Sequence, residues 1–544
     1  MTTHASRRNR PAAPLFAALL HPECYPHPVR DVRVLETHIS WVLLTGDYAY
    51  KIKKPVNLGF LDFTTLAARR YYCEEELRLN RRLAPELYLD VVAIRGSEQE
   101  PRVAGEGPVL DYAVKMREFP QEALASRLLE RGAFGAREID ALAAGIAEFH
   151  AVSPAAAESE RFGAPATVLS AALQNVEQML SQVKLPPDEK ALQTLRQWIK
   201  REFAARRDAL AARKQRGFVR ECHGDLHLRN IAVLDGRPVP FDCIEFNDEL
   251  RWVDVMSEVA FVVMDLEDRR RSDLAWRFLN RYLEASGDYA GLAVLRFYLV
   301  YRALVRAKVH LLRARQPRIQ RAEKVRLTHA FHQYLRLAAR LAEAGSPALL
   351  ITHGLSGSGK TTATQPLIEL LGAIRLRSDL ERKRLHGLAP LAASASGPGS
   401  GIYAREATTA TYRRLAELAQ SVLDAGYPVV VDATFLQRDE REAFRALATR
   451  LRVPFAILDF EAPEAALRAR ITGRRARADD ASEADLSVIE RQLATREPLA
   501  PEEMTATVAV DGTQTVSADS WRPLVERLRR AAGGKTPLSP GRAA

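Results

Sequence analysis

The segment that begins at residue 348 constrains the fold of the second half of the chain. An apolar strand, Ala348–Thr352, leads into Gly-Leu-Ser-Gly-Ser-Gly-Lys-Thr at 354–361, and a helical stretch follows. The P-loop motif requires this strand–loop–helix context, because its glycines let consecutive backbone N–H groups wrap a phosphate. Apolar segments at 427–431 and 455–460, with helices between them, predict a parallel α/β sheet around the loop.

The P-loop motif also predicts roles for individual residues. Lys360 is expected to reach the β- and γ-phosphates of ATP, and Thr361 is expected to bind Mg²⁺. Asp432 ends the apolar strand Tyr-Pro-Val-Val-Val-Asp and is predicted to be a further Mg²⁺ ligand, with capping of the next turn as the alternative. The predicted nucleotide-binding residues of the motif are Gly354, Ser356, Gly357, Ser358, Gly359, Lys360, Thr361 and Thr362.

A basic helix further along the chain is the candidate for a lid over the phosphates. Arg470 and Arg474 are four residues apart and therefore share a helix face. Together with Arg475 and Arg477 they are predicted to clamp phosphate during transfer. A solvated basic helix is the alternative interpretation of the same pattern.

The segment Val431-Asp-Ala-Thr-Phe435 and the P-loop together carry a family resemblance. This half of the chain resembles the zeta-toxin, gluconate-kinase and polynucleotide-kinase type of small P-loop kinase. The resemblance implies that Asp379, one short strand after the P-loop helix, contacts the acceptor hydroxyl. Its alternative role is that of an N-cap for the helix that follows.

A second phosphate site is predicted in the first half of the chain by Glu-Cys-His-Gly-Asp-Leu-His-Leu-Arg-Asn at 221–230. Phosphoryl transfer needs a carboxylate near the attacking hydroxyl and oxygen ligands for magnesium. Asp225 and Asn230 have kinase-type spacing, so Asp225 is predicted to orient or deprotonate the hydroxyl and Asn230 to bind Mg²⁺. Asp242 follows a short hairpin with Asp-Gly at its turn and is predicted to be the second metal ligand. A buried hydrogen-bond network in an ordinary loop is the alternative.

The lysine that binds the phosphates is predicted on the strand Tyr-Ala-Tyr-Lys-Ile-Lys, which starts at residue 48. Lys51 is the preferred candidate, but Lys53 points to the same face by the two-residue period of a strand, so the choice stays open. Glu76 on the following helix is the predicted ion-pair partner, and Glu74 and Glu75 compete with it.

The sequence His223-Gly224-Asp225 differs from the His-Arg-Asp motif of protein kinases. It resembles the corresponding motif of aminoglycoside phosphotransferases and choline kinases. This resemblance implies a small-molecule hydroxyl acceptor. The segment 114–120 is the predicted hinge, whose backbone binds adenine, and Glu245 is expected to support the metal ligand from behind. A Gly-x-Gly-x-x-Gly loop is missing, since the corresponding turn holds only His38-Ile-Ser40, and this argues against a protein kinase.

The order of the two halves resembles bacterial two-domain fusions of an aminoglycoside phosphotransferase-like domain with an ATP-binding domain. The predicted fold class is accordingly α/β and α+β with two domains. The predicted divisions are a flexible leader at 1–24, a bilobal protein-kinase-like domain at 25–343, a P-loop kinase-like domain with a parallel α/β sheet at 346–532, and a disordered tail at 533–544. The resemblance does not imply drug resistance, because fold does not fix the substrate.

Composition narrows the setting of these domains. The net charge of +11 over 544 residues invites a nucleic-acid interpretation, but the arginines are interleaved with Asp and Glu, which favours a compositional bias together with anionic nucleotide ligands. The chain contains no run of about 18 uncharged apolar residues, so no membrane span is predicted. The four cysteines lie far apart and form no metal-binding pair, so a reducing cytoplasm is expected.

The sequence therefore predicts an ATP- and Mg²⁺-dependent phosphotransferase with an alcohol group as acceptor. The first domain is expected to phosphorylate a small molecule and the second to act as a P-loop kinase. Two alternatives stay open. One is a nucleic-acid end-processing enzyme of the polynucleotide-kinase kind, which would show steep salt dependence. The other is a regulatory ATP-binding protein with one inactive site. The sequence does not predict the oligomeric state.

Overall fold

The structure is a computed structural model. It divides into two compact units, and each unit is made of segments that are not contiguous in the chain. Unit 1 comprises Met1–Leu142, Val152–Gly163 and Lys214–Glu258, and unit 2 comprises Ala143–Ala151, Ala164–Arg213 and Val259–Ala544. The structure describes residues 14–59, 61–316, 319–394, 396–397, 399–477, 482–483 and 485–531, without the side chains of 474–477.

Helices account for most of the described chain. In chain order the α-helices are α1 (Pro14–Ala18), α2 (Leu66–Asn80), α3 (Ala125–Glu130), α4 (Ala136–Val152), α5 (Pro165–Leu180), α6 (Pro186–Gln215), α7 (Asp248–Arg251), α8 (Val255–Asp268), α9 (Ser272–Ser286), α10 (Leu292–Ala314), α11 (Arg321–Leu341), α12 (Lys360–Leu371), α13 (Ser378–Leu385), α14 (Arg405–Asp424), α15 (Arg438–Leu451), α16 (Glu464–Arg477), α17 (Leu486–Thr495), α18 (Pro501–Met504) and α19 (Ala518–Ala531). None of these described helices combines the length and apolar content needed to cross a membrane.

The strands fall into separate sheets in the two units. In chain order they are β1 (Arg33–Glu36), β2 (Ser40–Leu44), β3 (Tyr48–Lys53), β4 (Tyr88–Gly96), β5 (Pro101–Val103), β6 (Val109–Arg117), β7 (Val219–Glu221), β8 (Ile231–Leu234), β9 (Arg237–Pro240), β10 (Trp252–Asp254), β11 (Leu349–His353), β12 (Ile374–Arg377), β13 (Val429–Asp432), β14 (Phe455–Glu461) and β15 (Thr507–Asp511).

Unit 1 is built on an antiparallel sheet whose described strands run in the order β1-β2-β3-β6-β4-β5. Neighbouring side chains of β3 alternate between two apolar clusters: Tyr50 and Ile52 belong to one, and Ala49 belongs to the other. This is the two-residue period of a strand that is covered on both faces. Helix α2 contributes Cys73 to the second cluster, and it therefore packs on that face of the sheet.

Residues 14–24, which the sequence assigned to a flexible leader, are instead part of this fold. Leu19 is 1% exposed and Cys24 is 5% exposed, and both belong to the apolar cluster around Tyr50. The short apolar patch at the start of the chain therefore covers one face of the sheet, a tertiary contact that charge and composition did not reveal. The first thirteen residues and the predicted tail at 533–544 lie outside the described residues.

The predicted hairpin before Asp242 is confirmed. Strands β8 and β9 pair antiparallel with Leu234 opposite Arg237, so that two residues form the turn. Those residues, Asp235 and Gly236, have φ values of 49° and 74°. Left-handed conformations at both positions are what a two-residue hairpin turn demands, and Asp-Gly is a preferred sequence for it.

The parallel sheet predicted around the P-loop is also confirmed in unit 2. Its described strands run in the order β12-β13-β11-β14-β15, and every neighbouring pair is parallel. Strand β11 lies at the centre and delivers the glycine-rich loop at its carboxyl end, where α12 begins. Ligands bind at this end of open α/β sheets. The short strand expected before Asp379 is β12, whereas β15 was not predicted from the sequence.

Strand β12 lies at an edge of the described sheet, and helix α9 closes its outer side. The side-chain amide of Asn280 on α9 donates from Nδ2 to the Ala373 carbonyl at 2.9 Å, and its Oδ1 accepts from the Arg375 backbone N–H at 2.7 Å. One side chain thus satisfies a backbone donor and a backbone acceptor that a neighbouring strand would otherwise pair. Such pairing is obligatory for buried backbone groups.

An ion pair joins the same helix to β12, and its arginine also donates hydrogen bonds to the first turns of α12. The Arg375 guanidinium donates from Nε and Nη2 to Glu284 Oε1, both at 2.8 Å, and from Nη1 to the Thr361 carbonyl at 3.2 Å and to Gln365 Oε1 at 3.0 Å. Both charged side chains are buried, 3% and 5% exposed. Burial opposes ionisation of Glu284, but the Arg375 charge and neighbouring arginines outweigh it and lower its pKa.

These contacts bear on the predicted domain division. Helices α9, α10 and α11 precede residue 344 and were assigned to the first domain, yet they belong to the same compact unit as the P-loop sheet. The division between 343 and 346 stays a prediction about sequence segments. In three dimensions, helices that precede residue 344 belong to the same compact unit as the P-loop sheet.

We expect Glu284→Gln to destabilise the protein by about 3–5 kcal/mol, because removing one partner leaves the buried Arg375 guanidinium without its counter-charge. Urea unfolding followed by circular dichroism measures the effect. The matched control is Glu417→Gln, since Glu417 is 60% exposed and lies 3.9 Å from Arg414. That surface pair is worth about 0–1 kcal/mol. Equal losses in the two variants would contradict the role assigned to Glu284.

Candidate active sites

The loop after β7 positions the first predicted catalytic carboxylate. Gly224 has a φ of 91°, and a Cβ there would lie 2.9 Å from the Leu250 carbonyl oxygen, so the turn before Asp225 requires glycine. Asn230 ends a short 3₁₀ turn, and its Nδ2 donates to the Asp225 carbonyl at 3.1 Å and to Asp225 Oδ2 at 3.0 Å. The structure therefore brings the predicted base and the predicted metal ligand into contact.

The second predicted metal ligand, Asp242, sits directly after the hairpin in an unusual conformation. Its φ is 66°, a left-handed value that costs free energy for a residue other than glycine and is typical of functional positions. Its backbone N–H donates to the Tyr88 hydroxyl oxygen at 3.1 Å, and the next N–H, of Cys243, donates to Asn80 Oδ1 at 2.9 Å. These bonds fix the direction of the Asp242 carboxylate, which is 44% exposed.

Four charged side chains meet beside Asp242. Lys51 Nζ lies 2.6 Å from Glu76 Oε1 and 2.5 Å from Asp242 Oδ1. Lys53 Nζ lies 2.8 Å from Glu76 Oε2 and also pairs with Glu245. Glu76 is thus the shared partner of both lysines, whereas Glu74 pairs with Arg70 and Glu75 with Arg78 on the surface of α2.

The electrostatics of this cluster follow from burial and pairing. Burial opposes ionisation of Glu76, but the ammonium groups of Lys51 and Lys53 outweigh it and lower its pKa to about 2. The pKa of Lys51 is raised well above its ordinary value, because Asp242 and Glu76 more than offset the effect of burial. The carboxylate and both ammonium groups are therefore charged at neutral pH.

The two lysines differ in what they reach. The Lys53 side chain is 1% exposed and its second partner, Glu245, is 3% exposed. Lys51 is 10% exposed, and its second partner is the half-exposed Asp242. Lys51 therefore lies on the more exposed side of the cluster, next to Asp242, and Lys53 lies in the interior. The strand period alone did not distinguish them.

In unit 2, the P-loop has the predicted cradle shape. Gly354 has a φ of 136°, and a Cβ there would lie 2.5 Å from the Phe460 carbonyl oxygen, so the strand can turn into the loop only with glycine. Gly357 and Gly359 also have left-handed φ values, 85° and 92°. Lys360 Nζ donates to the carbonyls of Gly354 and Leu355 at 2.9 and 2.7 Å, and so folds back over the loop.

Thr361 and Asp432 meet at the carboxyl end of the sheet. The Thr361 hydroxyl donates to Asp432 Oδ2 at 2.6 Å, which joins the first turn of α12 to the end of β13. Hydroxyl and carboxylate oxygens are the kind of ligand that Mg²⁺ prefers, and here two of them lie close together. The pairing of β11 with β13 sets this meeting, because adjacent parallel strands end at the same edge.

Arg470 is placed against the phosphate loop. It donates from Nη1 to the Gly357 carbonyl at 3.2 Å and from Nη2 to the Gly512 carbonyl at 2.7 Å. Arg474 belongs to the same helix, α16, but its side chain and those of Arg475 and Arg477 lie outside the described residues. The clamp role of these residues stays a prediction.

A cavity of about 570 Å³ opens beside the P-loop, within unit 2. Its lining contains many of the residues predicted for this site: Ser356, Gly357, Gly359, Lys360, Thr361, Thr362, Asp379, Asp432 and Arg470. Of the remaining P-loop residues, Ser358 is buried, 1% exposed. Asp379 lies in the first turn of α13, whose N-cap is Arg377, so the N-cap role considered for Asp379 is not the one that it has.

Other residues of this cavity were not found from the sequence. Gln492 of α17 accepts from the Ser356 N–H at 2.9 Å through Oε1 and donates from Nε2 to the Ser356 hydroxyl at 3.1 Å. Glu440 of α15 also lines the cavity, and burial raises its pKa to about 7. Glu440 and Gln492 lie 84 and 136 positions from Ser356 and belong to no short motif, so only the tertiary fold reveals them.

Comparison with known proteins finds a family match in each half of the chain. Residues 66–298 match the family described as phosphotransferase enzyme family, and residues 349–499 match the family described as AAA domain. An uncharacterized protein of Mycobacterium tuberculosis (strain H37Rv) is 31% identical over 430 residues, which covers 78% of this chain and 83% of that protein. The chain thus contains two kinase-type domains in tandem.

Solved structures resemble parts of the chain. A gluconokinase from Sinorhizobium meliloti is 22% identical, covering 35% of this chain and 90% of its own, with a TM-score of 0.23. A choline/ethanolamine kinase family protein from Mesorhizobium loti is 14% identical, covering 57% and 93%, with a TM-score of 0.34. On its sequence matches, the chain belongs to the same family as the mycobacterial protein, with a phosphotransferase enzyme family domain followed by an AAA-type P-loop domain.

Proposed function

We propose that the protein is an ATP- and Mg²⁺-dependent phosphotransferase, acting in the cytoplasm, whose first domain phosphorylates a hydroxyl group of a small molecule. The observation that carries the proposal is the contact at 2.5 Å between Lys51 and Asp242. It joins a candidate phosphate-binding cation to a candidate metal ligand. The hairpin that leads to Asp242 begins directly after Asn230, which holds Asp225.

The residues of this site fit a magnesium–nucleotide complex. Asp242 and Asn230 offer carboxylate and amide oxygens, which are hard ligands suited to Mg²⁺. When bound, Mg²⁺ and ATP supply the phosphoryl group and the positive charge that neutralises the phosphates. Lys51 donates hydrogen bonds to the phosphates that stay behind, and Glu76 holds its ammonium group in place. The backbone of the hinge at 114–120 is proposed to bind adenine.

Asp225 acts on the acceptor in this proposal. Asn230 donates from Nδ2 to Oδ2 of Asp225 at 3.0 Å, which holds the carboxylate in position beside the predicted metal ligand. Asp225 orients the acceptor hydroxyl and accepts its proton as the oxygen attacks phosphorus. The acceptor is proposed to be a small molecule, because the His-Gly-Asp sequence of the loop resembles that of aminoglycoside phosphotransferases and choline kinases.

The second domain is proposed to perform a separate transfer from ATP. Lys360, which folds over the loop carbonyls, donates to the β- and γ-phosphates, and Thr361 and Asp432 hold the metal. Arg470 adds a positive charge at the loop, and Arg474 is proposed to join it. Asp379 lies in the cavity beyond the phosphate site and is proposed to receive the proton of the acceptor hydroxyl group.

We expect the two transfers to be separable by substitution. Labelled γ-phosphate is followed from ATP into a bacterial metabolite extract. Asp225→Asn is expected to reduce one product by about 10²–10⁴-fold, the usual contribution of a general base. Lys360→Ala is expected to reduce a second product by about 10²–10³-fold through loss of charge stabilisation.

The matched controls for this experiment are Asp235→Asn, at the exposed hairpin turn, and Lys324→Ala, on the exposed face of α11. Both controls are expected to leave the two products unchanged. If the extract takes up no label although ATP binds, the small-molecule proposal is wrong. Loss of both products in each single variant would show instead that the two sites work as one.

The lysine pair gives a second prediction. Lys51→Met is expected to lower the transfer rate of the first domain by about 10²-fold through loss of charge stabilisation, with little change in stability, because Lys53 still compensates Glu76. Lys53→Met is expected to lower the free energy of unfolding by about 3–5 kcal/mol, because Glu245 loses its buried partner. Initial rates and urea unfolding of both variants test this. The assignment is reversed if Lys53→Met folds normally and alone loses activity.

A further inference from the structure

A side chain from outside the P-loop motif holds one residue of the loop with both of its polar atoms. The Ser356 backbone N–H donates to Gln492 Oε1 at 2.9 Å, and Gln492 Nε2 donates to the Ser356 hydroxyl oxygen at 3.1 Å. Both residues line the cavity of the P-loop site. The two hydrogen bonds therefore join helix α17 to the loop at the place where the nucleotide is proposed to bind.

The orientation of the Gln492 amide follows from the groups that it meets. A backbone N–H can only donate, so the atom of the amide that faces it has to be the carbonyl oxygen. The amide nitrogen then faces the Ser356 hydroxyl, which can accept a hydrogen bond. A side chain without an acceptor at position 492 would leave the Ser356 N–H without this partner.

An apolar contact fixes the same helix to the neighbouring residue of the loop. Ile489 of α17 is fully buried in a cluster with Leu355 of the loop and with Leu467 and Ile471 of α16. Residues three apart share a face of a helix, so Ile489 and Gln492 are presented together. The helix thus makes an apolar contact with one loop residue and a polar contact with the next.

Hydrogen bonds define both ends of α17. The Asp485 side chain accepts from the Val488 N–H at 3.1 Å and caps the start of the helix. At the other end, Gln437 Nε2 donates to the Thr495 carbonyl at 2.8 Å. A helix that is held at its start, its middle and its end delivers the Gln492 amide to a fixed place.

The Gln492 amide also limits which backbone groups the loop offers to phosphate. A P-loop binds phosphate through consecutive N–H groups. While the Ser356 N–H donates to Gln492 it does not donate to a phosphate, and the Ser358 N–H donates to the Leu355 carbonyl at 3.2 Å within the loop. The phosphates are therefore expected at the amides that follow, toward Lys360 and the start of α12.

Contacts that order the loop in advance favour nucleotide binding. The loop has glycine at 354, 357 and 359, and glycine loses more conformational freedom on ordering than any other residue. If the phosphates alone ordered the loop, this entropy loss would be subtracted from the binding free energy. The Gln492 amide restrains the loop without a phosphate, so less entropy is lost when the nucleotide binds.

We propose that Gln492 is a positioning residue of the P-loop site, which holds the loop in its phosphate-binding shape before the nucleotide arrives. The inference rests on the proposed function of this domain and adds a residue to it that lies outside the motif. Gln492 acts through Ser356 and does not itself contact the phosphates. Binding of MgATP is consequently coupled to the position of α17.

Hydrogen-exchange mass spectrometry of the full chain tests the inference, because it reports on the P-loop separately from the nucleotide site of the first domain. Peptides that contain Ser356 are followed without nucleotide and during titration with Mg²⁺ and a non-hydrolysable ATP analogue. Gln492→Leu is expected to speed their exchange without nucleotide and to raise the midpoint of nucleotide protection about 10-fold. That factor corresponds to about 1.4 kcal/mol, the net contribution of one or two hydrogen bonds.

The matched control is Glu490→Leu on the same helix. The Glu490 side chain is 63% exposed and lies outside the cavity lining, so exchange and midpoint are expected to stay unchanged. Gln492→Glu keeps an acceptor for the Ser356 N–H and is expected to retain slow exchange without nucleotide. Ser356→Ala removes one bond of the pair and is expected to raise the midpoint less than Gln492→Leu. Combined with Gln492→Leu, it is expected to have no further effect. If Gln492→Leu does not fold, Gln492→Glu and Ser356→Ala decide.

The inference is overturned if Gln492→Leu leaves the midpoint unchanged or lowers it. A lower midpoint would mean that the phosphates have to displace the amide. A loss of thermal stability with an unchanged midpoint would also overturn it, since Gln492 would then only fasten α17.

Transfer from labelled ATP separates this inference from the proposed function. For the product that depends on Lys360, Gln492→Leu is expected to raise KM for ATP about 10-fold with little change in kcat, because the bound nucleotide restores the shape of the loop. Protection that depends on Gln492 without any such product would sustain the inference and refute the kinase function of this domain. A product with the same KM for ATP in Gln492→Leu would sustain the kinase function and refute the inference.

Discussion

Several buried charges of this protein are held by opposite charges that come from other elements of the fold, because a desolvated ion without a partner costs several kcal/mol. In unit 1 the carboxylate of Glu76 on α2 lies between two lysines of β3, which fixes the helix against the sheet and sets the position of Lys51. In unit 2 Arg441 is fully buried against Glu503, and Arg375 is buried against Glu284. Two of these networks reach a candidate site. Lys51 belongs to the first, and Arg375 of the second donates to the carbonyl of Thr361 at the P-loop.

Local patterns were sufficient to predict the parts of the sites that are contiguous in sequence. The glycine-rich loop, the strand before it and the Asp-Gly hairpin each follow from turn chemistry and strand period, and the structure has them where the sequence predicts them. The choice between Lys51 and Lys53 was beyond the sequence, since both point to one face of a strand. Only the opposing surfaces, Asp242 on one side and Glu245 on the other, separate them. Gln492 was missed for a related reason, because chain spacing does not encode its contacts with Ser356.

The compact units of the structure do not coincide with the segments that sequence composition suggests. Residues 272–341 read as the end of the first domain, because their helical pattern continues without a break until the Ala-Gly-Ser-Pro segment near 344. Burial shows a different affiliation: α9 packs on the edge of the P-loop sheet, and its Trp276 lies so close to Gly372 that a Cβ there would approach the indole to 2.9 Å. A linker is recognised by composition, whereas a unit is defined by which surfaces exclude water, and the two criteria need not coincide.

The Asn280 side chain has a consequence for assembly. An edge strand presents unpaired backbone groups to which another chain can add a strand, and this is a common route to aggregation and to peptide capture. At the outer side of β12 the outward carbonyl of Ala373 and the outward N–H of Arg375 are both taken by one amide. Over this stretch the sheet is therefore closed to a sixth strand. Growth of the sheet by a second copy or by an extended peptide would have to take place beside β15, so the two ends of the sheet are unequal in what they can recruit.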